Sequence, residues 1–164
     1  MGRRTGSGVN DPLGIVLIDK PPGMTSHGVV SRIRRIFNTR RVGHGGTLDP
    51  LATGLLTVFI GRATRFVPYL GGGRKVYLST LTFGESTSTD DADGEVTATR
   101  SVPEMTDRDI AACAQRFVGD IDQVPPTVSA VHIDGERAYK KARRGETVEI
   151  APRRVHIESI DVIS

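Results

Sequence analysis

The sequence predicts an α+β fold with a mainly antiparallel sheet. Three observations carry this. Apolar runs and helical patterns follow one another as strand, helix, strands, helix, strands, without the regular βα alternation of a parallel sheet. The 164 residues suffice for one ordinary domain, with 37% hydrophobic and 25% charged residues. Turn chemistry punctuates the runs closely enough for hairpins.

Residues 1–10 are Gly- and Arg-rich and read as a flexible tail, followed by one domain over 11–164. Gly14 to Asp19 (GIVLID) is a short apolar run that reads as a buried strand. Lys20-Pro21-Pro22-Gly23 turns the chain, and Thr25 or Ser26 can cap the helix that follows. In that helix Val29, Val30, Ile33, Ile36 and Phe37 share a face. Arg32, Arg34 and Arg35 fall outside it, and Arg40 and Arg41 follow. Gly43 to Pro50 reads as a Gly-rich loop. Leu55 to Ile60 reads as a second buried strand ended by Gly61. Ala63 to Leu70 reads as a short helix broken near Pro68. Lys75 to Phe83 (KVYLSTLTF) reads as a long strand. Glu85 to Gly94 is expected as an acidic loop, with Glu95 to Thr99 returning as the hairpin partner of that strand.

Thr106 with Asp109 resembles a capping box. Ile110, Cys113, Ala114 and Phe117 form the apolar stripe of the helix behind it, placing Cys113 in the core. Pro125-Pro126 marks a loop. Val128 to Ile133 reads as a strand, Asp134-Gly135 as a turn, and Glu136 to Arg144 as a short basic helix ended by Gly145. Thr147 to Ile150 and Val155 to Ile163 read as strands, the latter lacking a partner.

Charge is uneven although the net value is only +3. Ser26 to Lys75 holds nine Lys/Arg and one acid, Asp49. Glu85 to Glu95 holds five acids and no base, and Glu136 to Arg154 seven bases against three acids. Basic blocks suit a phosphate-rich partner, or simply a solvated surface. No apolar run reaches the roughly 18 residues of a membrane span. The start MGRRTGSGVNDP lacks the apolar stretch of a secretory signal, and the single cysteine allows no internal disulfide. The expected location is the cytoplasm.

Asp49 is the informative residue. It stands alone among cations, with glycines at 43, 45, 46 and 54 that permit close backbone approach. Pro50 restricts its backbone. A carboxylate so placed suits a nucleophile or base better than a general acid, although an Asp-Pro turn is the simpler reading. Metal binding is not expected. TSTDDADG lacks the oxygen spacing and terminal Glu of a calcium loop, and no GxxxxGK[ST] phosphate loop occurs.

Four segments together (GIVLIDKPPGMTS, RRVGHGGTLDPLATG, KVY and TDDADG) resemble the bacterial tRNA pseudouridine-55 synthase family of the TruB type. The similarity continues through VPPTVSAVHIDGERAYKKARRGE and APRRVHIESI. The resemblance implies a pseudouridine synthase fold, a long mixed or antiparallel sheet with flanking helices and a cleft across its middle. It implies isomerisation of one T-loop uridine in tRNA, with no cofactor or metal. The uracil leaves its ribose at N1, turns, and rejoins through C5, by attack on the sugar or by a glycal route. On this resemblance Asp49 is the catalytic nucleophile or base. Tyr77 stacks on the base and can assist proton removal, and His44 packs near the flipped base. Asp91 orients charge, and Lys20 with Pro21 supports the site from beneath. Arg32, Arg35, Arg40, Arg41, Arg143 and Arg144 are candidates for the RNA backbone.

Gly45 stands where Thr or Ala is more usual, and Ser88 where many members carry Asp. The family's later KGTYIR-like segment, whose Arg pairs with the aspartate, and its C-terminal PUA-type RNA-binding domain do not occur in these residues. The expectation is therefore a C-terminally truncated, incomplete catalytic domain with weak or no activity alone, from a protein that is a monomer at full length. The competing expectation is a non-catalytic RNA-binding or tRNA-folding module on the same fold.

Overall fold

The computed structural model describes residues 11–70, 73–125, 132–133, 136–137 and 150–163, the two short pairs by backbone only. The fold is α+β, and every strand pairing among the described residues is antiparallel. The chain divides into two compact units, Met1–Leu78 and Ser79–Ser164.

The first unit contains β1 (Gly14–Lys20), α1 (Ser26–Ile36), β2 (Val42–His44) and β3 (Gly54–Ile60), in sheet order β1-β3-β2. β1 and β3 pair along their full lengths, from Gly14 opposite Ile60 to Lys20 opposite Gly54. Alternation then decides the faces. Val16, Ile18, Leu56, Val58 and Ile60 meet Val29, Val30, Ile33 and Val42 in one core. Ser26, Val29, Val30 and Ile33 are the buried positions of α1, at the spacing of one helical face. Ile36 is 67% exposed, so the apolar arc stops one turn earlier than expected. The other sheet face carries Ile15, Leu17 and Leu55, all exposed.

Thr25 is the cap of α1, its hydroxyl accepting from the Gly28 N–H at 3.0 Å. The loop expected from Gly43 begins as a strand, because Val42–His44 pairs with the end of β3. Beyond β3 follow a 3₁₀ turn (Gly61–Phe66) and α2 (Val67–Leu70), in place of one helix broken at Pro68. Gly61 has φ +61°, and a Cβ there would lie 2.1 Å from the Pro12 carbonyl oxygen. No other residue fits that junction.

In the second unit β4 (Glu85–Thr87) pairs with β5 (Val96–Thr99). This corrects the sequence expectation twice. The acidic segment begins as a strand, and it takes the partner assigned to Lys75–Phe83. Residues 75–83 form no ladder among the described residues. A β-branched run becomes a strand only where a neighbour satisfies its backbone, and β5 is engaged elsewhere.

α3 (Asp107–Gln115) has the expected capping box, Thr106 and Asp109 each satisfying the other's backbone N–H. Bonds from the Thr106 hydroxyl and N–H hold the Asp109 carboxyl below its ordinary 3.8. The half-covered arc of α3 runs through Ile110, Ala111 and Ala114. Cys113 and Phe117 lie to one side and are exposed, so Cys113 is not a core residue.

β6 (Gly119–Gln123) pairs with β9 (Arg153–Ile157). The strand expected at Val155 to Ile163 therefore has a partner and stops at Ile157. The sequence GDIDQ has little strand character, but Asp120 faces His156 and Asp122 faces Arg154 across the ladder. A cross-strand Asp122–Arg154 ion pair at 3.5 Å and an Asp120–His156 hydrogen bond at 2.7 Å supplement that weak intrinsic preference. β7 (His132–Ile133) and β8 (Glu136–Arg137) form a short ladder. The basic helix expected from Glu136 thus begins as a strand. The remainder to Arg144, the Asp134-Gly135 turn, the start of the Val128 strand, residues 147–149 and the tail 1–10 lie outside the described residues. Among the described residues the strands pair as one three-stranded and three two-stranded sheets.

Candidate active site

Asp49 lies in the crossing between β2 and β3, on a backbone tied down at both flanks. Its carbonyl accepts from the Ala52 N–H at 3.1 Å, closing a turn. Before it, Leu48 is gripped by the Ser26 hydroxyl, which donates to the Leu48 carbonyl at 3.1 Å and accepts from its N–H at 2.9 Å. After it, the Pro50 carbonyl accepts from the Gly23 N–H at 2.8 Å and from Lys20 Nζ at 3.2 Å. The Asp49 residue itself is exposed. A fixed main chain thus presents a free carboxylate to solvent, so the simple Asp-Pro turn and the reactive reading are compatible.

Lys20 is the most deeply placed polar residue of the site, at 0% exposure. Its Nζ donates to the carbonyls of Pro21 at 3.0 Å, Met24 at 2.7 Å and Pro50 at 3.2 Å. An ammonium has three donors, and all three are used. β1 delivers Lys20 inward because it continues the alternation of Val16 and Ile18.

His44, opposite Val58 at the end of β2, is half-buried. Its Nδ1 meets the Gly46 carbonyl at 2.5 Å. A carbonyl can only accept, so Nδ1 is the donor in this contact. The ladder extends one residue past His44, through the Gly45 N–H to the Thr57 carbonyl at 2.9 Å. A Cβ at Gly45 would lie 3.1 Å from the Phe59 ring, so glycine lets this loop lie against that ring.

Beside this loop is a cleft of about 310 Å³. Gly45, Thr47, Leu48, Phe59, Lys75 and Tyr77 are among its walls. Thr47 and Leu48 immediately precede Asp49, and Tyr77 faces the same cleft while remaining 70% exposed. Neither Asp49 nor His44 is itself a wall residue. The cleft offers an aromatic face, a cation and backbone polar groups at a size suited to a small planar group.

Asp91 lies in the second unit, in the turn between β4 and β5. It accepts from the Thr89 hydroxyl at 2.6 Å and from the Asp93 N–H at 3.0 Å. Those bonds describe a local turn. Arg32, Arg35, Arg40 and Arg41 are exposed on and just after α1. Arg34 differs from them, because its guanidinium donates to the Val42 carbonyl at 3.2 Å and ties α1 to β2. Arg143 and Arg144 lie outside the described residues. No group of three or more His, Cys, Asp or Glu suited to a metal ion exists among the described residues. No described helix is long and apolar enough to cross a membrane.

Sequence reasoning missed Ser26 as part of this site. The available signal was the pair Thr25-Ser26. Once Thr25 caps the helix, the neighbouring hydroxyl is free for another task.

The profile of the TruB family pseudouridylate synthase (N terminal domain) matches residues 34–164. The tRNA pseudouridine synthase B of Mycobacteroides abscessus is 55% identical over 159 residues, which are 95% of this chain and 53% of that protein. The protein of the same name from Synechococcus sp. (strain CC9311) is 51% identical over 151 residues, 92% of this chain and 50% of that protein. The chain spans about half the length of the curated relatives it matches. Among solved structures, a crystal structure of a Cbf5-Nop10-Gar1 complex aligns with TM-score 0.49 and 34% identity, covering 73% of this chain and 31% of that one.

Proposed function

From the premise that the chain belongs to the TruB family of pseudouridylate synthases, we propose that its protein isomerises the T-loop uridine 55 of tRNA to pseudouridine, with Asp49 as the reacting carboxylate. The observation that carries this reading is the arrangement around Asp49. Its backbone is anchored on both sides, its residue is exposed, and Tyr77 lines the adjoining cleft.

A uridine inside a folded loop is out of reach until it is extruded, at a cost of a few kcal/mol. Stacking on Tyr77 would return about 1–3 kcal/mol. The reaction exchanges one bond for another. The bond from ribose C1′ to N1 breaks, a bond from C1′ to C5 forms, and the C5 proton leaves for solvent while N1 gains one. No oxidant or reductant is consumed. Asp49 would act at the nucleoside, by attack on the sugar or as a base. His44 would occupy space beside the flipped base, Lys20 would hold the loop from beneath, and Asp91 would orient charge. Arg32, Arg35, Arg40, Arg41, Arg143 and Arg144 would neutralise phosphates of the T-arm. The working form would be a cytoplasmic monomer needing no cofactor or metal.

These residues are read as part of a longer catalytic domain. The 164-residue chain by itself is expected to turn over weakly or not at all.

The test is release of tritium from a T-arm hairpin carrying [5-³H]uridine, by the natural full-length protein containing these residues. Asp49→Asn should lower release by at least about a thousandfold while RNA affinity is kept. Undiminished release would remove Asp49 from the chemistry. RNA binding without any release by the unaltered protein would favour the binding or tRNA-folding module instead.

A further inference from the structure

We propose that Ser26 is a positioning residue for Asp49, acting through the Leu48 peptide. The inference rests on the reading of Asp49 as the reacting carboxylate. Ser26 is 2% exposed, one of two buried polar or charged side chains among the described residues, the other being Lys20. Its hydroxyl spends its donor and one acceptor position on a single residue, Leu48, across 22 positions of sequence. Two bonds from one atom to the N–H and C=O of one residue fix both its height and its rotation. Asp49 is attached directly to that carbonyl.

The helix cap does not account for this hydroxyl. Thr25 already satisfies the Gly28 N–H, and Ser26 is the first residue inside α1. Nor is fastening the loop as a whole its distinctive contribution. The Pro50 side is held by Gly23 and Lys20, and the Leu48 side chain packs against the core. What Ser26 adds is orientation of the Leu48 peptide. With Pro50 already restricting Asp49 from the other side, little main-chain freedom is left at the reacting residue. Removing the hydroxyl would leave the part-buried N–H and C=O of Leu48 without this partner and Asp49 free to tilt.

The experiment uses the natural full-length protein and the tritium-release assay, with Ser26→Ala, which nearly keeps the volume, and Ser26→Cys, which keeps a weak donor at slightly larger size. Ser26→Ala should lower kcat by about 10- to 100-fold with KM and hairpin affinity unchanged, since displacement near 1 Å is costly to chemistry and not to binding. Ser26→Cys, with a weak S–H donor, should fall between Ser26→Ala and the unaltered protein. Amide hydrogen exchange at Leu48 should quicken in Ser26→Ala while Val29 and Val30 stay protected.

A folded Ser26→Ala protein with undiminished kcat would overturn the proposal. So would parallel losses of kcat, RNA binding and thermal stability, which mark a purely structural role. If Ser26→Ala does not fold, Ser26→Cys carries the same readings. In the unaltered protein, Leu48 exchange as fast as that of exposed Thr47 would also overturn it. Unchanged turnover in Asp49→Asn would instead sink the functional reading, and the Leu48 exchange result would stand apart from it.

Discussion

Lys20 shows how a single side chain can hold two segments together from inside. It sits at the end of a strand whose other inward residues are aliphatic, and its charge is met by three carbonyls rather than by a carboxylate. Two of those carbonyls belong to the turn that follows it, and the third lies 30 residues away beside Asp49. Lys20→Met keeps length and apolar stem but strands those carbonyls. We expect a loss of about 2–4 kcal/mol, read as a lower urea midpoint with unchanged slope. An unshifted midpoint would mean that water replaces the ammonium without cost. The family resemblance implies a place for Lys20 beneath the site, but its complete burial on three carbonyls is seen only in the structure. Complete burial of a lysine runs against its ordinary preference and depends on acceptors that composition cannot reveal.

At the scale of elements, β3 gives the sharpest contrast. Leu55 and Leu56 are neighbours of identical composition, yet Leu56 is 2% exposed and Leu55 is 67% exposed. Leu56→Ala should cost about 2–5 kcal/mol and Leu55→Ala within about 0.5 kcal/mol in equilibrium unfolding. Equal costs would mean that the exposed face of the sheet is covered in solution. The elements that sequence reading recovered (β1, α1, β3, α3) are those whose caps and periodicity are local. Thr25, the Val29-Val30-Ile33 spacing and the Thr106–Asp109 box act within one or two turns. The failures were non-local. β6 finds its ladder partner more than 30 residues away, where Asp120 and Asp122 face His156 and Arg154. Residues 75–83 have every intrinsic mark of a strand and form no ladder among the described residues. Cys113 was misplaced because the neighbouring chain, not the helix, decides which arc of α3 is covered.

For the whole molecule, the cationic surface matters more than the small net charge. Arg40 and Arg41 are exposed just after α1, where their guanidiniums are open to solvent. In the full-length protein, replacing both by Gln should reduce the slope of log affinity against log salt by about 1.4 to 1.8, from about 0.7 to 0.9 per lost phosphate contact. An unchanged slope would place the RNA elsewhere.

By itself the sequence determined the chemistry on offer. It singled out one acid among nine bases, a helix start and two apolar strands, because each is written in residue type and short-range spacing, whereas Tyr77 entered only through the family resemblance. Only the tertiary structure decided that the Ser26 hydroxyl and the Lys20 ammonium grip the chain on either side of Asp49. Those bonds span 22 and 30 residues. A contact closed by folding over such a distance leaves no periodicity behind, so it becomes visible only when the backbone carbonyls are in place.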